Sequence, residues 1–114
     1  MSRRSARLLV EDILEAIERI ERYTAGLDGA SFVSDEKSSD AVVRNLEIIG
    51  EAAAHLPSDF LISVDGIEWE KVVGLRNRIV HGYFAVDLEL VWAIVKTDIP
   101  PLWRRLKDVH SSLA

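Results

Sequence analysis

The 114-residue chain contains no cysteine. This absence excludes disulfide bonds, thiol catalysis and thiolate metal sites. The sequence also lacks any apolar run near the roughly 18 residues that a membrane-spanning helix needs. Its start, "MSRRSARLLVEDILEAI", is unlike a signal peptide, because acidic residues interrupt the apolar stretch at once. We therefore expect a cytoplasmic protein that has no membrane partner.

Basic residues are in deficit, with 14 lysines and arginines against 19 acidic residues and a net charge of −5. This balance argues against sequence-blind adhesion to nucleic acid, which needs a broad field of positive charge. A few arginines in a cleft can still bind phosphate against the overall sign. Any nucleic-acid site on this chain is therefore expected to be local.

Helical periodicity dominates what the sequence does contain. Four segments repeat apolar residues at spacings of three and four, and no strand-like alternation of useful length occurs. The stripes of the first, second and fourth segments start at Leu9, Val42 and Leu88, and the third segment is predicted as a helix from about Ile67 to His81 with Val72, Leu75 and Ile79 on one face. The pattern predicts an all-α, antiparallel four-helix bundle, with residues 1–114 as a single domain.

Polar residues mark the predicted helix ends. Ser34, followed by Asp35 and Glu36, predicts the N-cap of the second helix, and Asp87 that of the fourth. Gly82 is a natural terminator for the third helix. Two connectors, "GLDGASFVSD" and "PSDFLISVDGIEW", are predicted as loops.

The fourth segment contains Pro100 and Pro101, yet its apolar period continues past both. We predict one long last helix with a kink, the alternative being a true break before Pro100. Several helix faces are wider than one core stripe requires, and the small domain has three tryptophans. Part of this apolar surface is therefore predicted to be a dimer interface.

The stretch "LRNRIVHGY", Leu75 to Tyr83, concentrates polar and titratable side chains in a short apolar segment. On an ideal helix that continues from Val72, Arg76 and Tyr83 lie on the apolar arc, whereas Asn77 and His81 share an edge. Arg76 is then expected to border the core.

A guanidinium that borders the core needs carboxylate partners, because burying it unpaired is costly. Glu47 and Glu51, one turn apart on the second helix, are the candidate support for Arg76.

Arg76 and His81 diverge by roughly 140° on that helix. They converge only if the helix unwinds near His81–Gly82 or if two chains combine their side chains. The residues alone leave a purely structural role open, in which Arg76 bridges helices and His81 favours a helix C-terminus. A structural role is also an alternative for Tyr83, as an aromatic residue of the core.

The remaining candidates are weaker. His55 is predicted as a surface residue at the end of the second helix, and His110 lies in the tail. Because three separated histidines do not match a ligand spacing, we predict no metal and no cofactor. The basic run "LWRRLK" is expected to be a solvated face, with extended RNA contacts as the alternative.

The pattern Arg76-x4-His81-x-Tyr83, with Asn77 directly after the arginine, resembles the signature of HEPN-domain toxins (higher eukaryotes and prokaryotes nucleotide-binding). It is most similar to the HepT-like branch, which is encoded beside a minimal nucleotidyltransferase antitoxin. The segments "VEDILEAIERIERYTAGL", "DAVVRNLEIIGEAAAHL" and "VWAIVKTDIPPLWRRL" resemble the first, second and last helices of that branch. The likeness therefore covers nearly the whole chain.

The resemblance implies a metal-independent endoribonuclease that works as a homodimer, with the paired motifs forming a composite cleft on RNA. Arg76 would hold the phosphate, His81 would act as base or acid, and Asn77 would orient either group. Arg78 points away from Arg76 on the helix and is a solvated charge or a candidate RNA contact.

Tyr83 has a separate implied role, because the nucleotidyltransferase antitoxin of this branch is understood to silence the toxin by transferring AMP to that tyrosine. The alternative function is a non-catalytic helical partner that presents substrate or nucleotide to a nucleotidyltransferase. A third reading is a structural helical dimer in which Arg76 is only a core ion pair.

Overall fold

The computed structural model describes residues 4–81 and 85–113, and for His81 it describes the main chain. The elements are helices α1 (Ala6–Thr24), α2 (Gly29–Ser34), α3 (Glu36–Ala54), α4 (Ser58–Ser63), α5 (Trp69–Val73) and α6 (Leu75–Ile79), strands β1 (Val80–His81) and β2 (Ala85–Val86), and helices α7 (Leu88–Thr97) and α8 (Ile99–Ser112). The all-α fold predicted from the periodicity is confirmed. Within the described ranges, no helix is long and apolar enough to cross a membrane.

Helices α1 and α3 form the centre of the bundle and make the most extensive helix–helix contact. Other helices complete one core, since α8 packs on α1, α7 packs on α2 and α8, and α5 and α6 pack on α3. Most of the fully buried side chains of this core lie on the predicted stripes, whereas Phe32 comes from the first predicted loop and Ile94 lies beside the predicted stripe of the last segment. The others include Val10, Ile13, Ile17, Ile20, Val42, Leu46, Ile49, Ile79, Val91 and Leu106.

The two predicted loops contain short helices. In the first, the Asp28 carboxylate accepts from the Ser31 amide at 2.8 Å while the Ser31 hydroxyl accepts from the Asp28 amide at 2.9 Å, and this capping box starts α2. Because α2 extends to Ser34, the N-cap of α3 is Asp35 and not Ser34 as predicted. The second loop contains α4, which starts directly after Pro57.

The third predicted helix differs most from expectation. It begins at Trp69 rather than Ile67, is interrupted at Gly74, and ends at Ile79 rather than His81. Val80 is already extended, with φ −103° and ψ 123°. Val80 pairs with Val86 and His81 with Ala85 in a short antiparallel ladder that the sequence did not predict.

In place of one long kinked helix the structure has two helices, α7 and α8, that meet at Asp98, which agrees with the alternative of a break before Pro100. The backbone of Asp98 stays in the right-handed helical region, with φ −90° and ψ −37°, so no loop separates the helices. The interruption precedes Pro100, whose ring nitrogen has no hydrogen to donate to the preceding turn. The predicted N-cap Asp87 is confirmed, since its carboxylate accepts from the Leu90 amide at 3.0 Å.

Candidate active site

A groove of about 720 Å³ runs between α1, α3 and the α5–α6 segment, and we call it the motif groove. Two residues of the predicted motif, Arg76 and Asn77, line it. The other charged or titratable residues on its walls come from α1 and α3: Asp12, Glu15, Arg19, Arg44, Glu47, Glu51 and His55.

Close backbone packing sets the position of Arg76. A Cβ atom at Gly50 of α3 would lie 3.3 Å from the carbonyl oxygens of both Val72 and Val73. A side chain at position 50 would press on both carbonyls, so glycine lets the end of α5 lie this close to α3 without displacing it. The next residue on the inside, Leu75, is buried, and Arg76 follows it as an exposed residue beside the groove.

The Arg76 side chain does not border the core, contrary to the prediction from the helical wheel. The wheel assumed a helix that continues from Val72, and the interruption at Gly74 changes the direction of every residue after it. Within residues 4–81 and 85–113, the Arg76 guanidinium has no hydrogen bond or ion pair. None of the described residues therefore takes any of its five N–H donors.

The two carboxylates expected to support Arg76 line the same groove, but the ion pairs that the structure shows for them involve other cations. Glu47 Oε2 lies 4.0 Å from Arg44 Nη1, and Glu51 Oε1 lies 3.9 Å from His55 Nδ1. These long, solvent-exposed pairs contribute little free energy. Glu47 and Glu51 thus set the charge of the groove wall without occupying the guanidinium of Arg76.

The main chain of His81 lies in β1, two residues beyond the end of α6. The roughly 140° divergence from Arg76 assumed 100° per residue up to His81, so it no longer applies. Unwinding of the helix was one of the two predicted routes to convergence, and it takes place already at Val80. Tyr83, the predicted AMP acceptor, lies outside the described residues.

Arg78 lies away from the motif groove. Its Nη2 atom is 3.1 Å from Asp98 Oδ2, and both residues line a second cavity of about 230 Å³ beside the α7–α8 junction. This ion pair connects α6 to the junction of the last two helices. The structure therefore separates Arg78 from Arg76, in agreement with the opposite directions inferred from the sequence.

Sequence reasoning missed two basic residues on the groove walls, Arg19 and Arg44. It predicted His55 as a surface residue, which the structure confirms, but did not place it at the groove. Arg44 and His55 share a face of α3 with Glu47 and Glu51, and this spacing of three and four was a readable signal. The Nδ1 atom of His55 lies 2.8 Å from the carbonyl oxygen of Glu51. Because a carbonyl only accepts, Nδ1 carries the hydrogen and Nε2 of the neutral ring is left as an acceptor.

His110 belongs to a different surface. Its Nε2 atom lies 2.8 Å from Glu11 Oε2 and joins α8 to α1. This hydrogen bond is the main reason that the pKa of Glu11 is lowered from its ordinary value, and the charge of Arg7 adds to it. In the part of the chain that the structure describes, no group of three or more histidine and acidic side chains is placed to hold a metal ion.

Comparison with known proteins adds an independent finding. Residues 13–109 match the model of the family described as "Ribonuclease HepT-like". "Probable ribonuclease HepT" of Thermococcus cleftensis is 43% identical over 100 residues, which cover 88% of this chain and 91% of that protein. "Putative RNase MJ1380" of Methanocaldococcus jannaschii is 37% identical over 109 residues, which cover 96% of this chain and all of that protein.

A third relative, "Putative RNase TTE0752" of Caldanaerobacter subterraneus, is 32% identical over 93% of this chain and 95% of its own length. No solved structure matches the chain. The family match covers most of α1 and all of α3, α5 and α6, and it includes every residue of the predicted motif. The chain belongs to the HepT-like ribonuclease family.

Proposed function

We propose that this chain is a metal-independent endoribonuclease, the toxin of a toxin–antitoxin pair that acts on cytoplasmic RNA. The observation that carries the proposal is the exposed guanidinium of Arg76, which lines the motif groove beside Asn77 and has no partner among the described residues. A free guanidinium on a groove wall is suited to a bidentate contact with phosphate. The family of the chain supports RNA as the source of that phosphate.

The proposed reaction uses the 2′-hydroxyl of the RNA as its nucleophile. The 2′-oxygen forms a bond to the adjacent phosphorus as its proton passes to a base, and the bond from phosphorus to the 5′-oxygen breaks as that oxygen receives a proton from an acid. The products are a 2′,3′-cyclic phosphate and a 5′-hydroxyl. Arg76 neutralises the charge that develops on the non-bridging oxygens, and Asn77 orients the phosphate or His81.

Histidine is the side chain best suited to proton transfer near neutral pH, so His81 is the proposed base or acid. One motif histidine per chain supplies one of the two groups that the reaction needs. A homodimer with paired motifs supplies the second, and it is therefore part of the proposal. Arg78 is kept as a peripheral RNA contact, since its side chain is only partly covered by Asp98.

The test is cleavage of end-labelled RNA by purified, unmodified protein in the presence of EDTA. We expect the wild type to cut, and His81→Ala and Arg76→Ala each to lower the rate by at least about 100-fold. The matched control is His110→Gln, because His110 contacts Glu11 outside the groove and its loss should leave the rate unchanged. RNA left intact by verified, unmodified wild-type dimer would overturn the proposal.

The proposed partner is a minimal nucleotidyltransferase that transfers AMP from ATP to the Tyr83 hydroxyl and releases pyrophosphate. A bulky anion so close in sequence to Arg76 would exclude RNA by size and by charge. Intact-mass measurement after incubation with the partner and ATP should show one added adenylate on wild type and none on Tyr83→Phe. An equal gain by both proteins would refute Tyr83 as the acceptor.

A further inference from the structure

A buried asparagine holds a second arginine at the motif groove. Asn45 of α3 is only 5% exposed. Its Nδ2 atom donates to the carbonyl of Ala41 at 2.8 Å, and its Oδ1 atom accepts from Nη1 of Arg19 on α1 at 3.3 Å. Burying an amide is costly unless its polar atoms are paired. The amide oxygen of Asn45 is paired by the guanidinium of Arg19.

The Arg19 guanidinium keeps most of its binding capacity. Its other described partner is Glu15, whose Oε2 lies 3.7 Å from Nη2, beyond hydrogen-bond distance. Arg19 remains 37% exposed and lines the motif groove from α1, whereas Arg76 lines it from α6. Of the five N–H donors of an arginine, one is therefore used by Asn45, and no other described residue accepts a hydrogen bond from Arg19.

The acidic residues on the same wall do not prevent this role. Asp12 is occupied by Arg4 through two hydrogen bonds of 2.7 and 2.9 Å. Glu15 is 63% exposed, so its long contact with Arg19 is screened by water and easily displaced. A phosphate that approaches Arg19 replaces a weak carboxylate contact with a bidentate one.

We infer that Arg19, positioned by Asn45, is a second phosphate-binding residue of the motif groove, and that it contacts an RNA phosphate other than the one held by Arg76. The inference rests on the proposed function for the identity of the ligand. A single strand carries a phosphate at every nucleotide, so arginines on different walls of one groove can hold successive parts of the same strand. Arg19 thus contributes to affinity, and Arg76 to affinity and chemistry.

The experiment measures binding of a fluorescein-labelled, single-stranded RNA by anisotropy at several salt concentrations, with His81→Ala as the parent protein to prevent cleavage. We expect Arg19→Gln to weaken binding about tenfold and to reduce the slope of log affinity against log salt by about 0.7. Arg19→Lys should recover only part of the affinity, because lysine keeps the charge but lacks the planar guanidinium that contacts phosphate through two hydrogen bonds.

Arg22→Gln is the matched control. Arg22 is an exposed arginine of the same helix and does not line the groove, so its loss should change neither the affinity nor the slope. Asn45→Ser tests the positioning: it should weaken binding as Arg19→Gln does, and the double variant should be no weaker. Asn45 is buried, so circular dichroism is recorded alongside, and if this variant unfolds the two Arg19 variants decide the inference by themselves.

Equal affinities for Arg19→Gln and Arg22→Gln, with Arg76→Gln weakened, would overturn the inference and leave the proposed ribonuclease intact. A purely structural role for Arg19 would give this result together with a lower unfolding midpoint. Binding that depends on both Arg19 and Arg76 in a chain whose wild type does not cleave would support the phosphate site and refute the catalysis. Absence of any RNA binding by the parent protein would overturn both.

Discussion

The Asp35 carboxylate caps the helix that carries one wall of the motif groove. It accepts hydrogen bonds from the Ser38 amide at 3.1 Å and the Ser38 hydroxyl at 3.0 Å. These bonds, the amide first, hold the pKa of Asp35 below its ordinary value. They also fix the start of α3, and with it the phase of every residue that α3 presents to the groove.

Replacing Asp35 should therefore have a pH-dependent cost. A carboxyl group with a lowered pKa in the folded state stabilises the fold above its unfolded pKa, and this contribution is lost as the pH falls through the folded pKa. We expect Asp35→Ala to lower the free energy of unfolding most at neutral pH, with the difference from wild type shrinking in the acid range. Urea unfolding of both proteins at a series of pH values measures this difference in the free energy of unfolding.

The control for this prediction is Asp40→Ala, which removes an exposed carboxylate from the same helix. It should give a smaller difference from wild type and no comparable trend with pH. A difference for Asp35→Ala that stayed constant from neutral to acid pH would contradict the assignment of the pKa shift to the cap.

At the scale of the helices, the sequence predicted the long elements and misjudged the segment that carries the motif. The stripes of α1, α3, α7 and α8 were readable because their buried residues repeat over many turns. The segments α5 and α6 have five residues each. Such short segments do not show whether the helical repeat of apolar residues continues or is interrupted. Gly74 was a visible signal, but an isolated glycine is also tolerated within a helix.

The structure explains why this glycine interrupts the helix. The Gly74 amide donates to the carbonyls of Glu70 and Val72, and a Cβ atom there would approach the Glu70 oxygen to 3.0 Å. The end of α6 has a different cause: Val80 leaves the helix to pair with Val86. That pairing depends on residues six positions further along, which a helical wheel does not consider.

The candidate site was predictable to a similar extent. Arg76 and Asn77 were found from the motif, and the face of α3 that carries Arg44 and His55 could have been read from its spacing. The position of Arg19 in the groove could not be predicted from the sequence. It depends on how α1 and α3 align, which is a property of tertiary packing. Its hydrogen bond to the buried Asn45 joins residues 26 positions apart.

The charge of the whole molecule agrees with a local site. The chain has a net charge of −5, and the motif groove combines Arg19, Arg44 and Arg76 with four carboxylates. A surface of this kind does not attract RNA over long distances, since steering needs an excess of one sign. Specific contacts of a few guanidinium groups must then supply the affinity, and a second copy of the chain would double their number.

A second chain is no longer required to bring Arg76 and His81 together. Because α6 ends at Ile79, geometry within one chain no longer keeps Arg76 and His81 apart. What still favours a composite cleft is the need for two proton-transferring groups, which two copies of His81 supply. A symmetric dimer of this kind brings the two motifs together at its twofold axis, so one composite cleft contains Arg76 and His81 of both chains.

This arrangement predicts that a single His81→Ala chain inactivates a mixed dimer. Wild-type and His81→Ala chains, co-expressed with different affinity tags and purified as the mixed dimer, would form a cleft with both Arg76 residues and only one His81. The mixed dimer should cleave RNA at least about 100-fold more slowly than the wild-type homodimer, purified in the same way, because its cleft lacks one of the two proton-transferring groups. If each chain carries a complete site of its own, the mixed dimer keeps about half of the wild-type rate, and that result would contradict the composite cleft.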